Sequence, residues 1–262
     1  EIFNACDVPG VSRSSAGSTN SRLNCRFGVG AGAPCSIHCS RMCIAAESRS
    51  TRFPPPWGID RVALRSNRLS AGAAAKRVKY NEELDKNAVQ LDHLNNIVMG
   101  SLVQHPLYRS GALPLRVAAP YYARYTPGRS YGDHVDDPIM GSEGDLYRSD
   151  ISITVFLNPP DQYAGGELVI HTAFGSHAIK LAAGDAVMYP SSSLHHVREV
   201  TQGERLVAVT WLQSLVRDPG RRELLYQLNQ ARETLLANSP GTPEAAQVNT
   251  AYVNLIRMWG DI

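Results

Sequence analysis

Several short runs of β-branched and aliphatic residues constrain the fold of this chain more than any other feature. They cover residues 149–157, 166–170, 186–189 and 205–212. Glycine, proline, asparagine or aspartate lies between consecutive runs, as in the Ala-Gly-Asp turn at residues 183–185. Many short strands separated by such turns are typical of antiparallel sandwiches and barrels. The sequence therefore predicts a mainly β fold.

A His-x-Asp triplet precedes these runs, and two adjacent histidines stand near their end. His134 and Asp136 are two residues apart, so both side chains project to one face of an extended strand. His195 and His196 would lie on opposite faces of a strand, so only one of them can join the triplet. Two imidazoles and one carboxylate leave half of an octahedron open, which suits a non-haem Fe(II) centre. Spacing does not choose between the two histidines, and a hydrogen-bonded surface turn is the alternative for the triplet.

Arg205 is a candidate for binding an anion beside that centre. It follows His195 by ten residues, which leaves room for a turn at residues 201–204 and a returning antiparallel strand. A buried arginine there would bind an anionic co-substrate through parallel N–H donors. The alternative is an exposed strand residue in an ion pair, but the apolar residues 206–208 favour the buried position.

Longer segments around these residues resemble a known family. Residues 124–136 (RYTPGRSYGDHVD), 148–170, 179–197 (IKLAAGDAVMYPSSSLHHV) and 203–218 (GERLVAVTWLQSLVRD) are similar to the PKHD-type hydroxylases. These are bacterial Fe(II)- and 2-oxoglutarate-dependent dioxygenases of the prolyl/lysyl hydroxylase type. The resemblance extends over about residues 70–262. It implies a double-stranded β-helix, or jelly-roll, core with flanking helices.

The resemblance also implies roles for particular residues. His134, Asp136 and His195 fall on the Fe(2+) ligands, Arg205 falls on the residue that binds the distal carboxylate of 2-oxoglutarate, and His196 falls on a variable position. The implied activity is the hydroxylation of a C–H bond, with 2-oxoglutarate and O₂ as co-substrates and L-ascorbate as the reductant of the iron. The implied substrate is a small molecule or a peptidyl group, of prolyl or lysyl type, with a link to iron homeostasis.

Several other readings stay open. Tyr125 is either a core aromatic or a hydrogen-bond partner of 2-oxoglutarate. His171 stands where relatives usually have an acidic residue, and we expect both His171 and His177 at surface or structural positions. A non-catalytic metal- or sugar-binding β-sandwich is the rival from another class. A zinc hydrolase is a third reading, because the same ligands suit zinc, but it leaves Arg205 without a role.

The first 69 residues, which contain all five cysteines, differ from the rest in composition. Residues 1–80 carry twelve basic and four acidic side chains. An arginine- and serine-rich, acid-poor segment is typical of a transit peptide, and it also arises when DNA upstream of a true start is translated. We expect residues 1–69 to be such a segment or a disordered extension. Cys35, Cys39 and Cys43 have the spacing of one helical face, but chance explains it better than a metal site.

The rest of the chain divides into three predicted regions: a helical support region at residues 70–117, the dioxygenase domain at residues 118–215 and a C-terminal helical pair at residues 216–262. Helical patterns occur at residues 80–104, 221–236 and 243–258. The C-terminal pair would cap the core or form a homodimer. The chain has no apolar run of the roughly eighteen residues that a membrane helix needs. We expect a cytoplasmic protein, since no cysteine follows residue 43. We also expect it to have no nucleic-acid or membrane partners.

Overall fold

The structure is a computed structural model that describes the strands Ser40–Cys43 and Leu64–Ser66, residues 77–85 and residues 87–262. These described ranges contain seventeen strands and three α-helices. The strands are β1 (Ser40–Cys43), β2 (Leu64–Ser66), β3 (Lys79–Tyr80), β4 (Glu82–Leu84), β5 (Pro114–Val117), β6 (Tyr121–Tyr125), β7 (Ser130–His134), β8 (Ile139–Met140), β9 (Tyr147–Arg148), β10 (Ile151–Phe156), β11 (Tyr163–Gly165), β12 (Leu168–Thr172), β13 (Gly175–Ile179), β14 (Asp185–Pro190), β15 (His195–Val197), β16 (Val200–Gly203) and β17 (Arg205–Ser214). The helices are α1 (Leu91–Gln104), α2 (Pro219–Asn238) and α3 (Pro243–Trp259).

Two antiparallel sheets form the body of the described protein. The larger sheet has the order β1-β14-β10-β17-β6-β4-β2, and β5 also pairs with β17. The smaller sheet has the order β13-β12-β15-β7-β3. Many neighbouring strands are far apart in sequence, as β7 and β15 are, so the sheets are not simple meanders. Two facing sheets with this kind of connection form a jelly roll.

The larger sheet is covered on both faces. Along β10, Ile151, Ile153 and Val155 belong to a hydrophobic cluster that also contains the buried side of α1. Phe156 belongs to a second cluster, which includes Ile170 and other residues of the smaller sheet. Because side chains alternate along a strand, one run of residues serves both clusters. This double burial explains why residues 151–156 are all buried and why the sequence there is so rich in aliphatic residues.

Most of the predicted elements are confirmed, and with them the mainly β fold with flanking helices. The four runs of β-branched residues lie in β10, β12, β14 and β17. The C-terminal pattern forms α2 and α3, which pack against each other. Each of these helices begins at a proline after a capping residue, since Asp218 accepts from Arg221 N and Thr242 accepts from Ala245 N. In the described part of the chain, no helix has both the length and the apolar composition for crossing a membrane.

The predicted helix from Tyr80 onwards is wrong in its first part. Strands β3 and β4 take its place, and α1 begins only at Leu91. Lys79, Asn81 and Glu83 alternate along these two strands, and all three are at least 95% buried. Predictions from hydrophobic periodicity place apolar residues on the buried face of a strand and polar residues on its exposed face. The buried face of these two strands is polar, so periodicity did not identify them.

Two further expectations are wrong in part: the turn at residues 201–204 and the pairing of the strand that follows it. Residues 201–204 form no turn, because β16 covers most of them and pairs with β11. Strand β17 pairs with β10, β6 and β5 and not with β15, so Arg205 and His195 belong to different sheets. Strands β1 and β2 pair with β14 and β4, so two segments of residues 1–69 have regular structure. Cys43 lies in β1, and the other cysteines of the predicted helical spacing lie outside the described residues.

Shortening a buried side chain of α1 tests how this helix packs on the larger sheet. Leu102 is fully buried in the cluster with Ile153, whereas the adjacent Val103 is 47% exposed. We expect Leu102→Ala to lower the free energy of unfolding by ~2–5 kcal/mol, because it leaves a cavity in the cluster. Val103→Ala should change it by no more than ~0.5 kcal/mol. Urea unfolding followed by circular dichroism measures both, and equal effects would contradict this packing.

Candidate active site

Three side chains with metal-binding atoms meet on the buried face of the smaller sheet. His134 ends β7 and His195 begins β15, and the two residues are direct partners in this antiparallel pair. Asp136 follows β7 by two residues. His134 Nε2 lies 3.9 Å from Asp136 Oδ1, and His195 Nε2 lies 3.8 Å from Asp136 Oδ2. These distances are too long for hydrogen bonds, but the three metal-binding atoms lie close enough together to bind one cation.

Hydrogen bonds on the far side of each ring fix the tautomers of the two histidines. His134 Nδ1 lies 2.8 Å from Gly132 O, and His195 Nδ1 lies 2.9 Å from Ser193 O. A carbonyl oxygen can only accept, so each Nδ1 carries the proton and donates it. In the neutral form of each ring, the lone pair of Nε2 therefore points towards Asp136. This is the form in which a histidine binds a metal ion.

The surroundings of these candidate ligands keep His134 neutral and hold Asp136 in a fixed orientation. Burial lowers the pKa of His134 to about 4, and the nearby His195 acts in the same direction. His134 is therefore uncharged at neutral pH. The Tyr131 ring stacks on it, with 3.7 Å between ring centroids and 15° between planes. Ser152 Oγ donates to Asp136 Oδ2 at 2.6 Å, which orients the carboxylate.

Arg205 brings a buried positive charge to the same region. The residue is 1% exposed, and its Nε finds no hydrogen-bond acceptor among the described residues. Within the described ranges, no carboxylate forms an ion pair with it. The guanidinium carbon lies 5.0 Å from the Tyr125 ring centroid and 5.6 Å from that of Phe156. A buried guanidinium in such surroundings is costly unless an anion neutralises it.

Burial raises the pKa of the Tyr125 hydroxyl to about 12, although the charge of Arg205 acts in the opposite direction. The hydroxyl is therefore protonated at neutral pH and is able to donate a hydrogen bond. The position of Tyr125 suits both roles that the sequence left open. The residue belongs to the hydrophobic cluster, and its side chain also lines the cavity described next.

One cavity joins the three ligands to Arg205. It contains about 530 Å³ of empty space, open solvent at its mouth included. The polar residues of β3 and β4 line it as well, and the Lys79 ammonium contacts the Glu83 carboxylate. Burial lowers the pKa of Lys79, while the charge of Glu83 opposes this shift. The cavity therefore brings a buried guanidinium and the three metal-binding side chains to one space.

Sequence reasoning missed five polar residues in or beside this cavity. Lys79, Asn81 and Glu83 alternate, and that period of two was the available signal for a strand with an inward polar face. Ser152 and Thr154 also alternate within an otherwise aliphatic run, and Thr154 lines the cavity. A polar residue at every second position of a buried strand therefore indicates a site on one of its faces.

The structure separates the two adjacent histidines as alternation requires. His195 is 3% exposed and faces Asp136, whereas His196 lies on the other face of the sheet. There His196 Nδ1 lies 2.7 Å from Asp133 Oδ1. His171 also lies on that outer face and is partly exposed, in agreement with the prediction of a surface position.

Comparison with known proteins gives two family matches. Residues 120–213 match the 2OG-Fe(II) oxygenase superfamily, and residues 220–261 match the PKHD-type hydroxylase C-terminal domain. A PKHD-type hydroxylase of Thioalkalivibrio sulfidiphilus is 50% identical over 195 residues, which cover 74% of this chain and 87% of the relative. A PKHD-type hydroxylase of Acaryochloris marina is 45% identical over 194 residues, with 74% and 87% covered. A solved prolyl-4-hydroxylase of Pseudomonas putida aligns with a TM-score of 0.44 at 18% identity, over 68% of this chain and 94% of that one.

The superfamily match agrees with the two-histidine, one-carboxylate set and the jelly-roll sheets, and it defines the class of protein. This protein is a 2-oxoglutarate- and Fe(II)-dependent dioxygenase. Within that class, the chain belongs to the PKHD-type hydroxylase family. The predicted family, fold class and enzyme class are therefore confirmed.

The buried pair that lines the cavity gives a testable stability effect. Lys79→Met removes the ammonium that faces the Glu83 carboxylate, and we expect it to lower the free energy of unfolding by ~3–5 kcal/mol. The double substitution Lys79→Met/Glu83→Gln should recover much of this loss, because no buried charge is then left behind. Urea unfolding of the two variants and the wild type measures the difference. A double variant as unstable as Lys79→Met would contradict the assigned pairing.

Proposed function

We propose that His134, Asp136 and His195 hold Fe(II), and that Arg205 binds the distal carboxylate of 2-oxoglutarate in the same cavity. The observation that carries the proposal is the buried Arg205, whose charge has no carboxylate partner among the described residues. An anion that lies between this arginine and the metal ligands would neutralise it. 2-Oxoglutarate suits both ends, because it has a carboxylate for the arginine and a 2-oxo acid group for the metal.

When bound, Fe(II) and 2-oxoglutarate supply the oxidation itself: O₂ converts 2-oxoglutarate to succinate and CO₂, and one oxygen atom enters a substrate C–H bond. The chain supplies the positions of the reactants. The two Nε2 lone pairs and the Asp136 carboxylate would hold Fe(II), and a set of three protein ligands would leave it able to bind co-substrates. Ser152 holds Asp136 in place, and the protonated Tyr125 hydroxyl would be able to donate to 2-oxoglutarate beside Arg205.

The family resemblance, and not the site, supports our proposals on the substrate, the reductant and the cellular location. We propose a prolyl or lysyl-type substrate, either a small molecule or a peptidyl group, and a link to iron homeostasis. L-Ascorbate would return over-oxidised iron to Fe(II). We further propose a cytoplasmic enzyme without nucleic-acid or membrane partners. The catalytic unit would cover residues 118–215, and the helical pair at residues 216–262 would cap it or form a homodimer.

Substitution of the ligands tests the proposed metal centre. We expect His134→Ala, Asp136→Ala and His195→Ala each to abolish succinate release from 2-oxoglutarate in the presence of Fe(II) and O₂. His196→Ala is the matched control, because this residue is adjacent in sequence but faces the other side of the sheet. It should retain most of the activity. Loss of activity in His196→Ala but not in His195→Ala would show that the ligand assignment is wrong.

The Arg205 proposal is tested by affinity for 2-oxoglutarate. We expect Arg205→Ala to weaken binding by ~2–5 kcal/mol, because the co-substrate carboxylate loses its buried partner. Arg205→Lys should lie between, since an ammonium offers a point charge without the planar fork. Anaerobic titration of the Fe(II) protein, followed by the metal-to-ligand charge-transfer absorption, gives the affinities. Arg198→Ala is the control, because this side chain is 55% exposed. Equal affinities of wild type and Arg205→Ala would contradict the proposal.

A further inference from the structure

A second group of metal-binding side chains lies on the outer face of the smaller sheet. Asp133 is in β7, His196 is in β15 and His171 is in β12, and these are three neighbouring strands. Asp133 precedes His134, and His196 follows His195. Because adjacent strand residues face opposite ways, each of these two strands turns one potential ligand inwards and the other outwards.

The three outer donor atoms have the separations that a tetrahedral metal site needs. Asp133 Oδ1 lies 2.7 Å from His196 Nδ1 and 3.2 Å from His171 Nε2. His171 Nε2 lies 3.3 Å from His196 Nδ1. Ligands about 2.0–2.1 Å from a tetrahedral zinc ion are ~3.3 Å from one another. Two of the three separations already have this value, and the third needs to widen by about half an ångström.

The chemistry of the group favours zinc over the harder cations. Two imidazoles and a carboxylate are frequent zinc ligands, and three protein ligands leave a fourth position for water. The side chains of Asp133, His171 and His196 are 58%, 33% and 24% exposed, so an ion reaches them from solvent. Ser176 Oγ lies 2.8 Å from His171 Nδ1, which holds the ring with its Nε2 towards the other two ligands.

We propose that Asp133, His171 and His196 bind one zinc ion on the outer face of the smaller sheet, back to back with the iron centre. The proposal does not depend on the function of the inner ligands. A bound ion would link β7, β12 and β15, and two of these strands carry His134 and His195. Zinc at the outer site would therefore fix the backbone that holds the inner histidines.

Isothermal titration of zinc chloride into the full-length, untagged protein tests this site. The parent is the His134→Ala/Asp136→Ala variant, in which the inner set has lost two ligands. We expect the addition of His171→Ala to reduce its zinc stoichiometry by one equivalent. Measuring this difference cancels any zinc bound elsewhere, including by the cysteines near the N-terminus. His93→Ala in the same parent is the control, because this histidine is exposed on α1. It should leave the stoichiometry unchanged.

Two results would overturn the proposal: a parent variant that binds no zinc, or equal stoichiometry with and without His171→Ala. Circular dichroism of the metal-free variants checks that all of them are folded. We expect that they are, because His171 is partly exposed. Asp133→Asn in the same parent should independently reduce the zinc stoichiometry, since an amide is a much poorer ligand for zinc than a carboxylate. Failure of the inner iron centre would appear separately, as an absent charge-transfer band in the wild type.

Discussion

The pairing of β7 with β15 is the contact on which the candidate active site depends. It places His195 directly opposite His134, although the two residues are 61 positions apart in sequence. Both Nδ1 atoms donate to carbonyl oxygens two residues earlier in the chain, so the backbone that positions each ring also sets its tautomer. A shift of β15 by one residue relative to β7 would exchange the inner and outer faces of β15. His195 would then point outwards, and the candidate ligand set would be lost.

The space between the two sheets is also unusual in how many polar groups it holds. Arg205, Lys79 and Glu83 are each buried by at least 95%. Buried charges are costly unless they are paired, and Lys79 meets this condition through Glu83. Arg205 has an aromatic environment but no carboxylate partner within the described residues. In the proposed function, 2-oxoglutarate would neutralise this charge, and this would connect the stability of the fold to its chemistry.

Much of the fold could be predicted from the sequence, because the strands of the core are aliphatic runs between turns and the C-terminal helices have clear boundaries. The candidate ligand set could also be proposed from the sequence, since His134 and Asp136 share a strand face and the family resemblance selected His195. Its role in binding iron stays a prediction. The pairing of the strands could not be predicted from the sequence. The ten-residue interval before Arg205 indicated a hairpin, but that interval contains β16, which pairs with β11, and Arg205 begins a strand of the other sheet.

The residues of β3 and β4 were missed for a different physical reason. Sequence patterns assume that polar side chains face water, and here three alternating polar residues face a buried cavity. Such an inversion occurs where a protein builds a site, because the site needs charges and hydrogen-bonding groups in its interior. The outer group of Asp133, His171 and His196 escaped notice because its members come from three strands and become neighbours only through the sheet.

The most direct test of the central claim is a crystal structure of the protein with Mn(II), which replaces Fe(II) without reacting with O₂, and 2-oxoglutarate. Anomalous scattering locates the metal ion independently of the protein coordinates. We predict an ion bonded to Nε2 of His134, Nε2 of His195 and the Asp136 carboxylate, with the distal carboxylate of 2-oxoglutarate on Arg205. An ion absent from these three residues, or 2-oxoglutarate bound without Arg205, would contradict the account.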